Sequence, residues 1–149
     1  MLSFTLNLYC DYILSIKRGN GIHGKSRAKP LLVLSIIECI SLNLLKQNQI
    51  KWDDSCLIYL YNQRSNEYDD SNKLSIIVPY YHITSSPFYH LIWKRKERLA
   101  ISGHTPSDKY LRENLLYAKL DDELWNLLQD AENKEILKHK IINNYLTNK

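Results

Sequence analysis

One run constrains the fold more than any other: Pro30-Leu31-Leu32-Val33-Leu34-Ser35-Ile36-Ile37-Glu38-Cys39-Ile40. Within it and just beyond, Leu31, Leu32, Leu34, Ile36, Ile37, Ile40 and Leu44 occupy most of a helical circumference. A helix from Pro30 to about Leu45 therefore has little face to give to solvent, and the rest of the chain has to wrap it. Pro30 suits the first turn, where a missing N–H is no loss, and Asn48-Gln49 closes the run. The apolar stretch is too short for a bilayer and is interrupted by Glu38. It predicts the buried centre of a soluble, cytoplasmic protein. With 149 residues the chain can bury such a helix without staples, and residues 1–149 read as one domain. Cys10, Cys39 and Cys56 are scattered and odd in number, against a disulfide framework or a zinc site. The N-terminus lacks a basic region and a cleavage site, so no signal peptide is read there.

Around the central helix the spacing predicts further helices. Leu2, Leu6, Tyr9, Ile13 and Ile16 recur at intervals of three and four, ahead of the break Gly19-Asn20-Gly21. Asp53-Asp54 form an N-cap for a short third helix carrying Leu57, Ile58, Leu60 and Tyr61. Arg64 to Lys73 is polar and reads as a mobile surface loop. After a second break at Ser102-Gly103-His104-Thr105-Pro106, Ser107 caps a helix to about Leu116. Asp121 caps another with Leu124, Trp125, Leu127 and Leu128, and Asp130 starts the last, with Ile136, Leu137, Ile141 and Tyr145.

Between the third helix and that break, a short phrase occurs twice: Pro79-Tyr80-Tyr81-His82-Ile83 and Pro87-Phe88-Tyr89-His90-Leu91. Aromatic and β-branched residues favour strands, and Thr84-Ser85-Ser86 reads as a turn. The expectation is a β-hairpin from Val78 to Lys94, closed by Lys94-Arg95-Lys96, whose aromatics either stack on a ligand or pack on the helices. The whole then reads as a mostly α, α+β domain: winged-helix-like, with a small β-hairpin and C-terminal helices.

The net charge of +4 points to a polyanionic partner, and its distribution says more than its total. Lys17 to Lys29 contains Lys17, Arg18, His23, Lys25, Arg27 and Lys29 with no acidic residue. It is either a solvated linker or a phosphate grip. Its end lies at a helix N-terminus, where N–H groups and the dipole favour an anion.

Taken in order, three segments resemble a known family. They are Gly24-Lys25-Ser26-Arg27-Ala28-Lys29-Pro30-Leu31-Leu32, then Pro79-Tyr80-Tyr81-His82-Ile83, and then Tyr117-Ala118-Lys119-Leu120-Asp121-Asp122-Glu123-Leu124-Trp125. The chain resembles the N-terminal DNA-recognition domain of bacterial HNH-type restriction endonucleases, the group that includes sulfur-binding domains. That resemblance implies a reader of double-stranded, phosphorothioate-modified DNA in a restriction-modification, bacterial-defence setting. Cutting would belong to an HNH domain, absent here or separately encoded as a partner. It also implies a shallow apolar sulfur pocket at Pro79, with Val78, Tyr80, Tyr81 and His82 around it and the loop near His104 approaching from the other side. Arg18, Lys25, Arg27, Lys29 and Lys94 would bind phosphates. The chain departs from the family in Val78, where relatives carry an aromatic, and in Ser86-Pro87, where they carry Asp-Gly in the turn.

Catalysis has no comparable footing. There is no Walker loop, dinucleotide fingerprint or nucleophile elbow, and an HNH site needs more than two histidines. Asp121-Asp122-Glu123 sits at a predicted helix start, where N-capping and dipole compensation account for it. The expectation is a recognition domain with no cofactor, no metal and no catalytic residue. Two other classes stay open: a protein-interaction subunit of a defence complex whose tyrosines form the contact patch, and a metal-dependent nuclease using His82 and His90 from opposite hairpin arms. A general DNA-binding domain without sulfur specificity is the nearer alternative.

Overall fold

The computed structural model describes residues 3–21, 24–69, 74–95 and 104–147. Leu2, His23, Lys73, Lys96, Ser102 and Gly103 lie outside the described residues. The centre is the expected apolar helix, α2 (Ala28–Ser41), with Leu32 fully buried and Leu31, Leu34, Ile36 and Ile37 at 1% exposure. It begins two residues earlier than the sequence suggests, so Pro30 and Lys29 both lie within its first turn. The first turn has no intrahelical use for the proline N–H. Asn43, at φ +61, ends the helix, and the Leu44 N–H folds back to the Cys39 carbonyl at 2.8 Å.

Three helices wrap α2: α3 (Ser55–Tyr68), α4 (Ile77–His82) and α7 (Ala131–Ile141). α1 (Phe4–Leu14) lies against α7 and α6 (Asp122–Leu127). Three of the four expected side-chain caps are in place. Asp54 Oδ1 accepts from the Cys56 and Leu57 N–H groups, Ser107 Oγ from Tyr110 N–H, and Asp130 Oδ2 from Asn133 N–H. The polar stretch after Arg64 is not a loop at its start. α3 continues to Tyr68, because Arg64 bridges Glu38 of α2 at 2.9 Å and Glu67 one turn on.

The expected hairpin is not formed. Val78-Pro79-Tyr80-Tyr81-His82 belongs to α4, a 3₁₀ turn follows over Ile83–Ser85, and only the second copy of the phrase is extended, as β3 (Tyr89–Trp93). Its antiparallel partner is β4 (Leu115–Leu120), which lies beyond α5 (Asp108–Asn114). Tyr89 faces Leu120 and Leu91 faces Ala118, and a bulge between Ile92 and Trp93 shifts the register. Ile76, Tyr80 and Ile83 explain the helical turn. They are spaced by four and three, and all are buried, at 7%, 0% and 0% exposure. Burying one helical stripe outweighs the strand preference of its aromatics. The remaining ribbon is short: β1 (Asn20–Gly21) pairs with β2 (Gly24–Lys25), and Gly24 adopts φ +108, a left-handed value that favours glycine. The fold is mostly α with a two-stranded antiparallel sheet, as expected, but the sheet is not a hairpin wing.

Candidate nucleic-acid interface

Lys29 is the residue around which the sequence-predicted site assembles. Its ammonium, in the first turn of α2, donates to the Lys17 carbonyl at 2.9 Å and to Ser85 Oγ at 3.1 Å. Both acceptors are neutral, and no ion pair among the described residues includes Lys29, Lys17 or His82. Partial burial, with the nearby Lys17 charge, holds the Lys29 pKa below its ordinary value. The pKa of His82 on α4 is likewise lowered, first by burial and then by the Lys29 charge. His82 Nε2 lies 2.9 Å from Thr105 Oγ1, which brings the loop after His104 against α4. Four segments far apart in sequence thus meet at one positive locus with no ion pair among the described residues: the end of the α1 connection, the start of α2, the α4–3₁₀ turn and the 104–107 loop.

The other predicted phosphate contacts fall into two groups. Lys25 is exposed on the β1–β2 ribbon, and Arg18 lies over the Tyr145 ring with its guanidinium 4.9 Å from the ring centroid. Stacking orients Arg18 without neutralising it. Arg27 does different work: its Nη1 donates to the Tyr68 carbonyl at 2.8 Å and the Leu146 carbonyl at 3.2 Å, tying the ends of α3 and the C-terminal turn to α2. Lys94 is exposed just past the end of β3, with its ammonium on the Arg112 carbonyl at 3.0 Å. His104 is exposed.

The apolar half of the predicted site needs correcting. Tyr80 is fully buried, donating its hydroxyl to the Ile50 carbonyl at 2.6 Å and accepting at its own carbonyl from Tyr89 at 2.8 Å. Burial raises its pKa. It is a core residue and presents no surface. Pro79 is buried too, in the first turn of α4, while Val78 and Tyr81 are half-buried. The exposed proline is that of the second phrase, Pro87. It sits two residues from Ser85 and next to Ser86, whose buried hydroxyl has no hydrogen-bond partner among the described residues.

His82 and His90 do not face each other across a hairpin. His90, on β3, places Nε2 2.5 Å from Asp121 Oδ1, while the Tyr9 hydroxyl donates to Asp121 Oδ2 at 2.8 Å. Asp121 stands at the N-cap of α6 but makes no side-chain cap bond. Its carboxylate instead joins α1 to the sheet, a link across 112 residues that no local pattern announces. Among the described residues no group of three His, Cys, Asp or Glu side chains is arranged to hold a metal ion, and no helix is long and apolar enough to cross a membrane.

No protein-family model matches the chain, and no curated protein does. Solved structures do match. The sulfur binding domain of ScoMcrA complexed with phosphorothioated DNA superposes with a TM-score of 0.69 at 15% identity, over 97% of this chain and 88% of that one. The chain shares that domain's fold. A second structure, the sulfur binding domain and SRA domain of ScoMcrA complexed with phosphorothioated DNA, gives a TM-score of 0.71 at 15% identity. Here the sulfur-binding fold covers 97% of this chain and 43% of the longer one.

Proposed function

We propose that this chain is a DNA-binding module that reads phosphorothioate-modified DNA, the targeting part of an HNH-type restriction system whose cutting chemistry lies in another domain or chain. The observation that carries the reading is the fold held in common with two phosphorothioated-DNA complexes over 97% of this chain. The site chemistry supports it. Among the described residues the Lys29 charge is received only by a carbonyl and a hydroxyl, and Lys25 and the stacked Arg18 extend the positive surface. Each phosphate neutralised by such a cation releases counterions. The low-polarity contact for sulfur is assigned to Pro87, because Pro79 is buried. Sulfur in place of a phosphate oxygen is more weakly hydrated, so it costs less to desolvate against a pyrrolidine ring.

Fluorescence anisotropy with three short duplexes of one sequence, plain, phosphorothioated and base-methylated, tests this at two salt concentrations. A preference of at least about tenfold for the sulfur duplex, or about 1.4 kcal/mol, is the expected result. Equal, salt-sensitive binding of all three would reduce the reading to a general DNA-binding domain. Absence of binding at low salt would overturn both.

A further inference from the structure

His82 stands in an unusual position for an imidazole. One ring nitrogen is engaged by Thr105 Oγ1 at 2.9 Å, and among the described residues His82 enters no ion pair. From α2 it faces Lys29, whose ammonium reaches Ser85 just past the end of α4. From the α1 connection comes Lys17, whose carbonyl holds Lys29. On its own element the neighbouring ring is Tyr81, with centroids 5.0 Å apart. The acidic residue of α2, Glu38, lies nine residues beyond Lys29, about 13 Å along the helix, and is taken by Arg64. The free protein thus brings Lys29 and Lys17 toward His82 with no ion pair to any of the three among the described residues.

We propose that His82 takes up a proton when DNA binds, becoming a second cationic phosphate ligand beside Lys29. The proposal rests on the DNA-binding reading above. The Thr105 contact survives the change, because a hydroxyl can accept from a protonated Nε2 as readily as it can donate to a neutral one. Whichever neutral tautomer precedes it, the imidazolium carries an N–H at both nitrogens, so Nδ1–H and the positive charge can meet a phosphate while Nε2–H donates to Thr105 and the 104–107 loop stays anchored. The cause is electrostatic. A cation beside the ring disfavours its charge, and a phosphate seated between the two reverses that balance. In the free protein burial and the Lys29 charge both disfavour the charged form of His82. Binding therefore strengthens as pH falls through the range between its lowered free value and its raised bound value.

Calorimetric titration of the full chain with the phosphorothioated duplex, in two buffers of different ionisation heat at pH 6.5, counts the protons taken up. The wild type is expected to absorb a measurable fraction of one proton per duplex and to bind roughly three- to tenfold more tightly at pH 6.0 than at pH 7.5, a tenfold change corresponding to one pKa unit. In His82→Gln, which keeps a polar group for Thr105 but does not titrate, the uptake and the pH dependence should both shrink while binding persists. Equal uptake in the two proteins would overturn the proposal and leave the DNA reading intact. Failure of the wild type to bind any duplex at either pH would overturn the reading, and the proposal with it. Should the variant fold poorly, the imidazole C–H resonance of His82 in the wild type decides the matter. Its midpoint must rise on adding duplex, and an unmoved or lowered midpoint would sink the idea.

Discussion

Lys29 brings a full charge to a place where only a carbonyl and a hydroxyl receive it, whereas Arg27, two residues earlier, spends its guanidinium on the ends of two other elements. Similar charges in one basic stretch therefore have opposite consequences. Lys29→Met should weaken binding to plain and sulfur duplexes alike and reduce the slope of log affinity against log salt by about one, read from anisotropy at several salt concentrations. Arg27→Lys should act mainly on stability. The two prolines divide in the same way. Pro87→Ala should lower the preference for the sulfur duplex by roughly three- to tenfold, about 1 kcal/mol, with plain-duplex affinity little changed. Pro79→Ala should leave that preference untouched. Equal losses of discrimination in the two variants would return the apolar contact to α4. Tyr80→Phe tests the core assignment. The Ile50 carbonyl keeps the Ala118 N–H at 2.8 Å, so losing the hydroxyl should cost about 1 kcal/mol in denaturant unfolding and nothing in DNA binding.

At the scale of elements, the staple between α1 and the C-terminal turn is the most exposed to a single change. Tyr145 accepts from the Ile16 N–H at 3.0 Å and donates to the Ile13 carbonyl at 2.5 Å, a group at the end of α1 with no further helical turn to bind it. Tyr145→Phe orphans both groups and should lower stability by about 1–3 kcal/mol in urea unfolding, with Arg18 still stacked on the ring. The elements that were legible in the sequence share one property: their signal is local. The circumference of α2, and the caps of α3, α5 and α7 at Asp54, Ser107 and Asp130, each depend on residues within a turn or two. β4 was not legible. Its buried positions, Leu115, Ala118 and Leu120, break the alternation of a regular strand because the bulge at Ile92/Trp93 shifts its register. The aromatics of α4 favour a strand in the sequence, although Ile76, Tyr80 and Ile83 carry the helical spacing that the fold uses. Of the site, the charge of Lys29 was visible in the sequence. Its meeting with Ser85, and that of His82 with Thr105, was not, since both contacts are made by tertiary packing.

For the molecule as a whole, stability and function pull against each other through titration. His82 has a folded pKa below its ordinary value of 6.5, so between the two the unfolded chain binds more protons and stability falls as pH drops through that window. On the alkaline side the sign reverses. Burial pushes Cys39 from 9.0 to about 12 and Tyr61 from 10.0 to about 12, so both stay protonated in the fold while the unfolded chain ionises. Their contribution is complete below pH 9 and is lost as pH rises toward 12. The thermal midpoint of the free protein should therefore trace a dome, falling below about pH 6 and again above about pH 9. Saturating duplex should raise the whole curve by mass action and flatten its acid side, because the bound state now holds the proton that the free fold refuses. An acid limb equally steep with and without DNA in differential scanning calorimetry, while binding itself is intact, would place the titrating group elsewhere. His82→Gln separates the cases, since in that variant the acid limb attributable to this group disappears from the free protein and duplex has nothing left there to flatten.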